Sequence, residues 1–168
     1  VNEGGFLIQQ EILFGFLEEP ADTLARAWDE FESGTPSSAA MELRRAAYFL
    51  EMKSARATDA GKKRLRKAIG ELNEWTNRFE QGEQGSAEEL QNSIAQIHLN
   101  VALHHSSKLA EEESNEENPL IAANDLKGAL FHLQQAAVRA GVEFSSEDGE
   151  SIGMLQALQE KLEGNTLW

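Results

Sequence analysis

The chain has 168 residues, 15 basic and 29 acidic side chains, no cysteine and a net charge of −14. The length suits one domain burying roughly 70% of its unfolded surface, and 40% hydrophobic residues suffice for a core. Missing cysteine excludes disulfides, thiolate metal sites and thiol nucleophiles, the acidity argues against a nucleic-acid binder, and no apolar run reaches the roughly 20 residues that span a bilayer.

In chain order, the segment from Gly5 to Leu17 is apolar but interrupted by Gln9, Gln10 and Glu11, and it has no basic flank, so it does not read as a signal peptide. A chain opening on Val1 rather than Met is expected of a trimmed, exported protein, with the cytoplasm left open as the alternative. Phe6, Leu7, Ile8, Phe14 and Phe16 surround this first helix, so it must be buried or covered by a partner. We take Phe6, Ile8, Phe14 and Phe16 as candidate partner contacts. Leu24, Ala27, Trp28 and Phe31 then mark one helical face. Further seams follow: Ala40, Leu43, Ala47, Leu50, Ser54 and Ala57; Leu65, Ala68, Ile69, Leu72 and Phe79; Leu90, Ile94, Ile97, Val101 and His104; Leu126, Leu130, Leu133, Ala137 and Ala140. Pro36 and Pro119 stand at helix starts, Ser86 with Glu89 forms a capping box, and Gly34, Gly82, Gly141 and Gly164 are expected just past helix ends. No stretch alternates with period two, so no sheet is expected.

Shifted by 83 residues, the chain matches itself. Pro36–Gly82 against Pro119–Asn165 gives 12 identities in 47 positions, including the two prolines and the pairs Ile69-Gly70 and Ile152-Gly153. The expected fold is therefore all-α, a single antiparallel helical bundle over 1–168. It is built from two copies of a three-helix unit, about 5–82 and 86–165, whose Ala-rich middle helices touch at the centre.

A long first helix, an acidic turn, an Ala-rich second helix ending in an Ala-x-x-Ala-type tail and a shorter third, all present twice, resemble bacterial all-α proteins of the YfdX-like kind. That resemblance implies an exported, periplasmic helical protein without assigned catalysis, and no functional residue is carried over from it.

Enzyme templates are missing: no Gly-x-Ser-x-Gly, no phosphate-cradling loop, no dinucleotide fingerprint. No cofactor and no catalytic residue is expected. Asn124-Asp125-Leu126-Lys127-Gly128-Ala129 resembles the signature of histidine phosphotransfer domains, but Asn124 stands where an imidazole must accept the phosphoryl group. The acids Glu111, Glu112, Glu113, Glu116 and Glu117 read as a solvated turn, and Lys62–Lys67 as the wet face of a helix. All four histidines fall in the second copy. His98 and His105 are two turns apart on one helix, too far to share an ion alone, but His132 could meet either across the bundle. The leading expectation is a non-enzymatic interaction or structural protein of the bacterial envelope, with a protein partner or a second copy. The alternative is a small-ligand or transition-metal binder using His98, His105 and His132.

Overall fold

Five helices alternate with short turns through residues 20–112 and 119–141, the residues that the structure, a computed structural model, describes; none of these is in a strand. Helix α1 is helical through 20–32, α2 is Pro36–Ser54, α3 Asp59–Glu80, α4 Ala87–Glu112 and α5 Pro119–Ala140. The candidate contacts Phe6, Ile8, Phe14 and Phe16, and the third helix expected in the second copy, lie outside the described residues. No helix among the described residues is long and apolar enough to cross a membrane.

Local chemistry sets the helix ends. Gly34 closes α1 at φ +75°, donating to the Phe31 carbonyl while Thr35 N–H reaches that of Glu30, a Schellman motif. Gly82 repeats it after α3 at φ +76°, with Gly82 to Phe79 and Glu83 to Arg78. The capping box forms as expected: Glu89 N–H donates to Ser86 Oγ and Ser86 N–H to Glu89 Oε2, both at 3.1 Å. One cap was not foreseen. Thr58 Oγ1 accepts from Gly61 N–H at 2.9 Å, so α2 stops at Ser54 and α3 starts at Asp59, rather than α2 running to Ala57.

The seams of α1 to α4 face one core, which the α5 seam does not join. Leu24 and Ala27 of α1, Ala39, Ala40, Leu43, Ala46, Ala47 and Leu50 of α2, Leu65, Ala68, Leu72, Trp75 and Phe79 of α3, and Leu90, Ile94, Ile97 and Val101 of α4 form one buried cluster. Each of its large side chains contributes roughly 1.5–3 kcal/mol by leaving water. Phe31 stacks on Phe79 at 5.7 Å, which packs on Trp75 at 5.4 Å, and Arg78 lies 4.2 Å over the Trp75 ring.

The chain packs sequentially: α2 on α3, α3 on α4, α4 on α5. The expected central pairing of α2 with α5 is not one of the packed helix pairs. The alanines of α2 are consumed by the four-helix cluster, and α2 meets α5 only where its C-terminal end and the start of α5 border a common cavity.

Candidate functional site

Helix α4 carries two buried faces. Ile94, Ile97, Val101 and His104 continue one apolar stripe, and His104 ends it beside the start of α3. There Gly61 makes room: a Cβ at that position would lie 2.6 Å from His104 Nδ1. Thr58 and Ser107 hydroxyls, 2.7 Å apart, fasten the start of α3 to α4 at the same level.

The second face holds His98 and His105, which spacing of seven residues puts in line, and it packs on α5. Asp125, Gly128 and His132 form the matching stripe on α5 at i, i+3 and i+7. The two stripes interlock as a chain of polar groups. His98 Nδ1 and His132 Nδ1 are 2.9 Å apart, one donating and the other accepting. The His132 and His105 rings stack with centroids 6.0 Å apart. His105 Nδ1 donates to Asp125 Oδ1 at 2.8 Å, and Lys108 Nζ sits 3.2 Å from Asp125 Oδ2. Gly128 is the second making of room, because a Cβ there would come within 2.8 Å of His105 Nε2. A glycine inside a helix costs about 1 kcal/mol against alanine, so both glycines trade helix stability for a seated imidazole.

Burial sets the protonation. It pushes His98 down to about 4. His104 falls to about 3, again mainly by burial, with its cationic neighbours adding to the effect. His105 is also lowered by burial, against the opposing effect of the hydrogen bond it donates to Asp125. Burial alone would raise Asp125, but its bond from His105 and the charge of Lys108 outweigh that and hold its carboxyl below the usual carboxylate range. At neutral pH His98, His104 and His105 are uncharged and Asp125 is an anion.

His98, His105 and His132, named from the sequence as metal candidates, do come together. They come as a chain whose nitrogens face each other and Asp125, not as a cage. No group of three or more His, Asp or Glu among the described residues could hold a metal ion.

One end of this chain opens on a cavity of about 540 Å³ between the C-terminal end of α2, the second half of α4 and the start of α5. His104, His105 and Asp125 form its inner wall, with Lys53 and Lys108 beside them. Met52, Ala55, Arg56 and Ile121 stand at the outer rim, where all four are exposed. Sequence reasoning found His105 but missed Lys53, Arg56, Lys108 and Asp125. The signal for Lys53 was its place three residues after Leu50, on the buried side of α2. Lys53 lacks any ion-pair partner among the described residues, and burial, with the nearby Lys108 charge, lowers its ammonium to about 8 despite the opposing pull of Asp125.

Comparison of the chain with protein-family models, with characterised proteins and with solved structures found no match.

Proposed function

We propose that this protein is a small-ligand-binding helical bundle whose site is the cavity bounded by α2, α4 and α5. The observation that carries the reading is the cavity itself. At about 540 Å³ it falls within the roughly 300–1,000 Å³ of small-molecule sites, and it largely encloses Lys53 with no carboxylate at ion-pair distance among the described residues. A folded chain gains nothing from an uncompensated ammonium, so the group is held for something that enters. The geometry favours binding over catalysis. His105 with Asp125 has the look of a base and its orienting acid, but His105 Nε2 is buried against Gly128, where no substrate atom fits. The test is thermal unfolding against a panel of small organic molecules, for wild type and Ala55→Trp, which plugs an exposed rim position. A ligand that binds only the native state raises the wild-type midpoint and not that of the variant. A panel that shifts neither protein, or both equally, removes the reading.

A second reading, a protein partner or a second copy in the bacterial envelope, is favoured by Met41 and Tyr48. They are 62% and 59% exposed, two turns apart on α2. Light scattering should then find a dimer that Tyr48→Asp dissociates; a monomer in both cases rules the second copy out. The duplicated three-helix unit belongs with these proposals. Helices α2 and α5 both begin on proline, and their equivalent acids each reach a cation on the preceding helix, Glu42 to Arg26 at 3.3 Å and Asp125 to Lys108 at 3.2 Å.

A further inference from the structure

The cavity is positive although the protein is strongly negative. Of its lining residues among those described, Lys53, Arg56 and Lys108 are cations and Asp125 is the one acid. Asp125 is already committed to His105 and Lys108. Lys53 and Arg56 therefore face the cavity with no carboxylate within ion-pair distance among the described residues. Lys53 is largely enclosed, and its lowered basicity shows what that enclosure costs. An anion placed between Lys53 and Arg56 would restore the balance and supply the acceptors that an ammonium and a guanidinium fork require. The rest of the lining points to the rest of the ligand. Met52 and Ile121, 37% and 44% exposed at the rim, offer apolar contact on opposite helices.

We infer that the cavity takes an organic anion, a single carboxylate or phosphate head held between Lys53 and Arg56 with an apolar body resting on Met52 and Ile121. This rests on the cavity being a ligand site and adds the chemical class of the ligand. The overall charge of −14 does not oppose it, because distant surface charges are screened beyond about 8 Å at physiological salt, and the local charges decide.

The experiment is calorimetric titration of the whole chain with octanoate, octyl phosphate and octanol, three ligands sharing one tail. Octanoate or octyl phosphate should bind about tenfold or more tighter than octanol, and the tighter of the two identifies the head group. Lys53→Met should lose that preference, while Lys63→Met, on the exposed face of α3, should keep it. Lys53→Met should also raise the unfolding midpoint, since it removes an enclosed charge and keeps the stem. A lowered midpoint would mean that the ammonium already has a partner in the protein, and it would overturn the inference. Equal affinity for octanol and the two anions would overturn it too, yet leave the cavity as a ligand site. Binding of none of the three, with other small molecules still raising the midpoint of wild type but not of Ala55→Trp, would again remove the anion and spare the site. Only silence in both experiments removes the two together.

Discussion

Leu90, Ile94, Ile97 and Val101 sink one side of α4 into an apolar cluster shared with α1, α2 and α3, whereas His98 and His105 bury the other side against Asp125, Gly128 and His132 of α5. Both faces are equally dry, but they are held by different physics. The apolar face needs only area and fit, and tolerates small shifts. In the polar face each group needs its partner in place and in the right protonation state, because an unpaired buried group costs about 1–3 kcal/mol. Such a seam fixes one register of α5 on α4 and makes the attachment of α5 sensitive to protons. The charge follows the same division. Residues 1–85 hold 11 basic and 15 acidic side chains, a net of −4, and residues 86–168 hold 4 and 14, a net of −10. The second half is also where every histidine lies.

Acid should break the comparison most strongly. The unfolded histidine titrates near 6.5, while His98 and His104 titrate near 4 and 3 in the folded protein. Between these values the unfolded chain binds protons that the folded chain refuses. The stability is therefore full above about pH 6.5 and falls as the pH drops toward 4, by on the order of 5 kcal/mol for the two together. Urea unfolding at pH 7, 5.5 and 4 measures this, and hydrogen exchange should show the seam of α4 with α5 and the contact of His104 with the start of α3 opening before α2. A flat profile would mean that these imidazoles are already wet.

Leu72→Ala probes the apolar side. It should cost about 3 kcal/mol at neutral pH and the same at pH 5.5, because no titrating group touches the change. A smaller effect separates two glycines. Gly128→Ala pushes a methyl into His105 and should destabilise by about 2 kcal/mol, while Gly70→Ala on the open face of α3 meets nothing within 4 Å and should stabilise by about 0.5–1 kcal/mol. If Gly128→Ala also stabilises, the seam is looser than the distances imply. Ser86→Ala removes one cap bond at the start of α4 and should cost about 1 kcal/mol on thermal unfolding, with no change in the acid response.

Much of the scaffold was legible from period and punctuation. The stripes through Leu43, Leu72 and Ile94 are largely buried, that through Leu130 is buried only at Leu126, Leu130 and Ala137, and the Ser86–Glu89 box and the three glycines Gly34, Gly82 and Gly141 sit where their chemistry requires. The cap at Thr58 was passed over because a threonine between two seams is a common surface residue until its neighbours are known. His132 was flagged as able to meet His98 or His105, but its true companions on α5, Asp125 and Gly128, read as ordinary surface residues beside Leu126.

The amino-acid sequence by itself determined the helices, their ends and the apolar stripes, because hydrogen bonds four residues apart, caps and a 3.6-residue period are local. Tertiary structure alone decided which stripe met which. It set α5 on α4 instead of on α2, turned His98, His105 and His132 into one buried chain, and brought Lys53 and Arg56 from the C-terminal end of α2 to the same cavity as Lys108 of α4 and Asp125 of α5. Those meetings join residues 17 to 72 positions apart, and side-chain partners at that distance are chosen by how whole helices pack, which no local periodicity encodes.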